Sequence, residues 1–316
     1  MDSLAGSPSR RIVIASFVGS SVLAGGNAIA IKFSNQELSP LWGAAFRFLL
    51  AAGILFAVMA IMRLSLPRGR QLLGTIVFGA LNFGGAFAFA YYTLVHMNAG
   101  SAGALLALTP LVTLLLAVAQ RQERLRLGAV VGALLAFAGV GFISSATLQA
   151  SVPMVALLAA LGSVLCFAEA AVIARWFQTP HPLVVNAVGM AAGVVVLIVF
   201  SLLAGEHIAL PQRSITWLAV GYLVPFGSIG VFVLYLVVLR HWTASRAVYV
   251  DVVTPFVTVL LALWLLDEQI TVALVLGGLL IVAGVYVGAL RSRVLASSTS
   301  ETEGQRSEPP HIEQSF

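Results

Sequence analysis

The sequence predicts an all-α polytopic membrane protein whose ten transmembrane helices form two inverted five-helix repeats. Three observations predict it: a nearly chargeless composition, ten apolar stretches of membrane length, and a set of costly residues that occurs twice in register. Of 316 residues, 60% are hydrophobic and 9% charged, and mean hydropathy is +1.02. Soluble domains carry roughly a quarter charged residues, so a soluble core is excluded.

A hydrocarbon layer of ~30 Å takes about 20 helical residues. Such stretches run over 12–31, 40–62, 71–92, 99–119, 127–145, 153–176, 182–203, 215–239, 244–266 and 271–290. The first follows Arg10-Arg11 and exceeds the roughly 7 to 15 apolar residues of a secretory signal, so it is expected to stay attached. The second holds Arg47 well inside lipid. The third carries Asn82 between Gly79 and Gly84-Gly85, with Tyr91 and Tyr92 at its outer end, where an interfacial belt with Trp42, Trp217 and Trp264 is expected. The fourth contains Thr109-Pro110, and the fifth Gly128-x-x-x-Gly132. The sixth holds the single cysteine, Cys166, and Glu169. The seventh contains Asn186, expected to bond a neighbouring helix. The eighth carries Tyr222 and Tyr235, the ninth Tyr249, Asp251 and Thr254-Pro255, and the tenth Gly284-x-x-x-Gly288. The small-residue spacings of the fifth and tenth predict close helix packing.

Thr109-Pro110, Val112-Thr113, Glu123, Gly132 and Ala138-Gly139-Val140 recur in unbroken spacing as Thr254-Pro255, Val257-Thr258, Glu268, Gly277 and Ala283-Gly284-Val285. Proline in mid-helix and glutamate in a tight loop are costly choices that chance seldom repeats. Upstream, Gly85, Phe87 and His96 match Gly230, Phe232 and His241, and Pro40-Leu41 matches Pro182-Leu183 with a register shift of three. An odd repeat of five spans sends its second copy into the membrane from the other side. The loops agree: Arg121-Gln122-Glu123-Arg124-Leu125-Arg126 becomes Leu266-Asp267-Glu268-Gln269-Ile270-Thr271, keeping the glutamate and losing every arginine. Arginines elsewhere gather on the same set of loops, so both termini are expected in the cytoplasm of a plasma (inner) membrane. The expected organisation is residues 1–11 as cytoplasmic N-terminus, 12–145 as first repeat, 146–290 as second, and 291–316 as a disordered cytoplasmic tail too polar to bury a core.

The chain resembles the ten-helix members of the drug/metabolite transporter superfamily, the EamA-type exporters, over essentially residues 12–290. The resemblance rests on Gly26-Asn27-Ala28-Ile29-Ala30-Ile31-Lys32, Leu38-Ser39-Pro40 with Arg47, the two Thr-Pro spans, Glu123, Glu268 and the Gly-rich spans 5 and 10. The family often has tryptophan before the Gly-Asn stretch, where this chain has Gly25. The resemblance implies a basket of helices around a central cavity, spans 5 and 10 at the periphery, and small organic metabolites, commonly amino acids, as cargo.

The residues themselves suggest where that cargo sits. Arg47, Glu169 and Asp251 each cost about 2.5 to 3.5 kcal/mol at a helix centre, so each should face a wet cavity or a partner. For Glu169 and Asp251 the candidate roles are proton coupling or attraction of a substrate amino group. A structural contact stands equally open for Asp251, at the Pro255 kink. Arg47 either receives a substrate carboxylate or snorkels outward. Asn27 is placed at the cavity because Gly25 and Gly26 would admit a ligand to the backbone, and Asn82 by the same reasoning. Tyr249 either touches cargo or packs on span 8. Pro110 and Pro255 are expected to kink their helices as paired elbows, with Thr109 and Thr254 bonding the freed carbonyls.

The five histidines have no ligand spacing, so no metal is assigned. One cysteine excludes a disulfide framework. No phosphate loop and no nucleophile with a paired base occurs, so no cofactor and no enzymatic activity is expected. A net charge of +5 scattered over short loops forms no nucleic-acid patch. The expected function is a secondary transporter of small polar metabolites, amino acids first, by alternating access at a midplane site, with the lipid bilayer as its partner and protons as a candidate coupling ion. The alternatives are a carrier for nucleosides, sugars or drug-like cations, and a membrane-embedded enzyme or channel-like pore.

Overall fold

The computed structural model describes residues 10–122, 127–149, 153–174, 181–241, 250–267 and 269–287, for some of them the backbone alone. Glu123, Glu268, Tyr249 and the tail 291–316 lie outside the described residues, as does the side chain of Asp251. Among the described residues ten helical stretches succeed one another. They are α1 (Arg10–Ser34), α2 (Pro40–Ile61), α3 (Arg70–His96), α4 (Ala99–Ala119), α5 (Leu127–Gln149), α6 (Met154–Ala174), α7 (Pro182–Leu203), α8 (Ser214–Tyr222, Leu223–Gly230 and Val231–His241 in succession), α9 (Val250–Leu265) and α10 (Val272–Val285). Seven are long and apolar enough to cross a membrane: α1, α2, α3, α4, α6, α7 and α8. The described parts of α9 and α10 are shorter, at 16 and 14 residues.

Contacts between helices repeat under a two-fold relation. The counterparts α2 and α7 lie along each other, as do α5 and α10, and α4 meets α9. Where α1 packs on α8 and α9, α6 packs on α3 and α4. A pairing in which residue i meets j while j's counterpart meets i's is what a two-fold axis requires. Side chains obey it too: Ser20 Oγ of α1 donates to the Val231 carbonyl of α8, and Ser163 Oγ of α6 donates to the Ala86 carbonyl of α3.

The repeats are inverted. α2 starts where α7 ends, since the Glu206 carboxylate just past α7 accepts the amides of Leu41 and Trp42 at the start of α2. Equivalent helices therefore run in opposite directions, as an odd repeat demands.

Lipid offers no hydrophobic force between helices, so small residues that admit close approach hold the bundle. Between α5 and α10, a Cβ on Gly139 would come within 2.5 Å of the Gly277 carbonyl, and one on Gly284 within 2.5 Å of the Gly132 carbonyl. The packing face therefore includes Gly132 and Gly284 from the expected spacings, together with Gly139 and Gly277, while Gly288 lies outside the described residues. Gly79 of α3 meets the backbone of Gly189 in α7 closely enough that a side chain on it would strike the main chain.

Two helices carry matched irregularities. Ala80–Gly85 in α3 and Leu223–Gly230 in α8 are π-helical, each ending just before the residue that accepts the serine bond above. Such wide turns inside α-helices cluster at functional sites.

Candidate functional site

A cavity of about 150 Å³ lies among α1, α3, α4, α6, α8 and α9, three helices from each repeat. Since roughly 10 to 15 Å³ already holds a water, it admits a small organic molecule. Its lining follows the two-fold relation. Ala24, Ala28 and Ile31 of α1 correspond to Phe167, Ala171 and Ala174 of α6, in the register that pairs Ser20 with Ser163. Phe87 and Ala90 of α3 correspond to Phe232 and Tyr235 of α8, and Thr109 of α4 to Thr254 of α9. Both repeats thus present equivalent faces to one space.

The walls are mainly apolar, with Phe78, Phe87, Phe167, Phe232 and Tyr235 set among aliphatic and small residues. Phe87 lies edge-on to Phe167 at 5.5 Å and to Phe232 at 6.1 Å, and Phe83 behind them is edge-on to Phe232 at 4.7 Å. Edge-to-face pairs add about 0.5 to 1.5 kcal/mol each beyond their buried area, which holds the wall rigid. Among the described lining residues none carries a formal charge; polarity comes from Ser20, Asn27, Asn82, Tyr235 and the threonines.

Of the expected site residues, Asn27, Asn82, Thr109 and Thr254 line the cavity. Asn27 Nδ2 donates to the Gly227 carbonyl of the α8 π segment at 3.0 Å, and its Oδ1 rests on the same glycine, where a Cβ has no room. Asn82, 7% exposed, sits in the α3 π segment, and its amide nitrogen has no partner among the described residues. The neighbours of Asn27 serve packing rather than a ligand: Gly25 faces Val257 and the Thr254 backbone, and Gly26 faces Tyr222, whose hydroxyl donates to the Leu23 carbonyl.

Arg47 and Glu169 stand outside the lining. Arg47 is wholly buried at 0% exposure, so the outward snorkelling that its long stem allowed does not occur. Its Nε donates to Ser228 Oγ at 2.9 Å, its Nη2 to the Gly227 carbonyl at 2.9 Å, and its Nη1 reaches the Tyr91 hydroxyl at 3.5 Å. The guanidinium lies over the rings of Phe48 and Phe87 at 4.6 and 4.9 Å. Tyr91 is correspondingly 0% exposed. It does not join the interfacial belt, whereas Tyr92, one residue on, faces outward at 37%. Arg47 needs its hydroxyl, and the helical rotation between successive residues separates the two. Both oxygens of Glu169 accept from Gln120 Nε2 at 2.8 Å, at the end of α4.

The elbows differ. Pro110 starts a new helical run after the turn at Ala107 and Leu108, and the Thr109 hydroxyl donates to the Leu106 carbonyl at 2.6 Å, the group that Pro110 leaves without a donor. Pro255 stays inside α9, and the Thr254 hydroxyl donates instead to Val250 at 2.7 Å. Thr258 of α9 ties to the Gly25 carbonyl of α1 at 3.1 Å, a cavity contact the sequence reading passed over.

One face of the bundle is fastened by a reciprocal pair of carboxylates. Glu206, after α7, takes the first amides of α2 and the Ser201 hydroxyl; Glu37, after α1, takes the amides of Gln212 and Arg213 before α8. Trp42 Nε1 adds a bond to the Ala209 carbonyl at 2.7 Å. Carboxylates at helix starts satisfy amides that have no intrahelical partner. Glu37 titrates below its ordinary range: the nearby Thr216 hydroxyl lowers it most, partial desolvation raises it by less, and the Gln212 and Arg213 amides and the Arg213 charge lower it further.

Comparison with known proteins places this architecture. The EamA-like transporter family matches twice, over residues 11–145 and 154–289. The chain is 31% identical over 258 residues to the "Uncharacterized inner membrane transporter YedA" of Escherichia coli strain K12, covering 79% of this chain and 81% of that protein. It is 25% identical over 296 residues to the "Uncharacterized transporter YyaM" of Bacillus subtilis strain 168, covering 90% and 95%. A solved crystal structure superposes with a TM-score of 0.67 at 23% identity, over 91% of this chain and 99% of that one, a likeness of fold.

Proposed function

Since this chain belongs to the EamA-like transporter family, we propose that it is a secondary active transporter that carries small polar metabolites, amino acids first among them, by alternating access. The observation that carries this reading is the two-fold lining of the cavity: each repeat contributes equivalent positions to one space. Two copies of one structure that exchange shapes would open that space to opposite sides in turn. Residues 12–145 and 146–290 act as the two moving units, and the protein spans the inner membrane with both termini cytoplasmic, as its arginine-rich loops favour.

Asn27 and Asn82 supply hydrogen bonds to the cargo, and Tyr249 an aromatic contact. Thr109-Pro110 and Thr254-Pro255 are the elbows. Protons couple transport through Glu169 and Asp251. Counterflow in proteoliposomes tests the carrier. Saturable exchange of labelled amino acid with no net gradient is expected. Chemical alteration of the substrate, or unsaturable flux, would replace this reading with an enzyme or a pore. Unchanged pH dependence of uptake in Glu169→Gln with Asp251→Asn would remove proton coupling through these residues.

A further inference from the structure

Arg47 is a complete charge in a place where charge is costly, and no carboxylate among the described residues meets it. A guanidinium has five N–H donors. The protein answers three of them, one at 3.5 Å, with a carbonyl and two hydroxyls, all neutral. A buried cation held only by neutral groups keeps an uncompensated field in a low-dielectric interior.

The same fold shows that packing does not require it. Arg47 is the eighth residue of α2, and its two-fold counterpart, the eighth residue of α7, is Gly189. Gly189 packs on the ring of Phe83, the counterpart of Ser228, and on the Gly79 main chain. A chargeless solution to this interface is therefore present in the same molecule. The charge also sits close to the cargo space: the Phe87 ring that covers it at 4.9 Å lines the cavity, and Asn27, another lining residue, shares its Gly227 carbonyl.

The geometry points to Arg47 as the cavity's charge selector: through the Phe87 wall it makes the site electropositive, so the cargo is a molecule bearing a carboxylate, and a cation without one is rejected. This deepens the carrier reading and rests on the cavity being its binding site. The carboxylate completes the charge balance that the protein leaves open, which is why no acidic residue stands beside Arg47 among those described.

Matched pairs test it. Purified protein is titrated with amino acids and with the corresponding amino acid amides, and binding is read from the shift in melting temperature. The wild type is expected to bind at least one acid about tenfold tighter than its amide. Arg47→Gln is expected to erase that ratio, and Arg47→Lys to weaken it, since a buried ammonium gives up its proton more readily than a guanidinium and loses the stacking on Phe48 and Phe87. Wild-type protein that binds amides as well as acids, or binds no acid of the series, overturns the assignment, and so does an Arg47→Gln protein with the ratio intact. The wild-type result decides even if Arg47→Gln does not fold. Saturable counterflow of a cargo indifferent to the carboxylate would sink this inference and leave the carrier standing; acid-selective binding without exchange would do the reverse.

Discussion

The contact of α2 with the π segment of α8 and that of α7 with the π segment of α3 are one interface built twice and filled in opposite ways. In the first, Arg47 reaches Ser228 and the Gly227 carbonyl, which Asn27 shares. In the second, Gly189 lets the backbones of α7 and α3 close onto each other, with Gly79 and Phe83 filling the space. Backbone geometry survived the duplication and side-chain chemistry did not. A wide helical turn leaves room either for a long polar side chain from a neighbour or for a bare main chain, and each repeat took one option. The difference teaches that the charge is peculiar to one of the interface's two copies, although the backbone shape belongs to both.

The sharpest way to break the comparison is to crowd the bare interface. Gly79→Ala would place a methyl group into the Gly189 main chain, where no flexible side chain can yield. A loss of about 3 kcal/mol is expected, the upper end for overpacking, seen as a steep fall in melting temperature or in folded yield. An unchanged melting temperature would show that α3 and α7 can part without cost.

Next comes the elbow pair. Thr109→Val removes the hydroxyl that donates to the Leu106 carbonyl, which Pro110 deprives of its helical amide, and should cost about 1 kcal/mol. Thr254→Val should cost no more than about half of that, because the Val250 carbonyl it serves lies four residues back, where the backbone amide of residue 254 already donates in an α-helix. Equal losses would mean that the two elbows work alike.

Removing the charge sharpens the contrast from the other side. Arg47→Met leaves Asn27 on Gly227 and leaves the Ser228 hydroxyl donating to Leu223, so stability should stay within about 1 kcal/mol or rise, as buried charges replaced by apolar chains often allow. A collapse of the fold would make Arg47 structural. Helix ends offer a smaller version of the same test: past α2 the chain stops in a left-handed turn at Arg63 with φ 53°, and past α7 in the same turn at Gly205 with φ 66°. Arg63→Gly should gain about 1 kcal/mol by bringing the first stop to the form of the second.

The smallest effect concerns the fastened face. The Glu37 pKa is depressed in the fold, so its contribution is present above the ordinary glutamate value of about 4.3 and is lost as pH falls through the depressed value. Melting temperature should therefore drop on acidification below that range, and Glu37→Gln should flatten the drop. An unaltered pH profile in the variant would assign the acid sensitivity elsewhere.

Much of this was legible in the chain. Ten spans, the duplication and its inversion follow from hydropathy and from prolines that recur in register, since lipid forces backbone bonds to close within helices and odd repeats to invert. Asn27, Asn82 and the threonines beside the prolines were found because polar groups stand out against an apolar background. The π segments carried weaker marks: Gly84-Gly85, and Pro225, Gly227 and Gly230, are permissive residues that allow a wide turn without dictating it. Nothing in the sequence pairs Glu169 with Gln120, or Glu37 and Glu206 with the helix starts they cap, because those contacts join residues 49 to 176 positions apart.

By itself the sequence determined that this chain lies in lipid as two opposed copies around a shared space, because period and composition are local properties and every span must satisfy its own backbone. Only the tertiary structure decided which side chains meet the cavity and which stand behind it. The rotation of each helix about its axis is set by packing against its neighbours. One residue of rotation is what buries Tyr91 beside Arg47 and leaves Tyr92 to the surface.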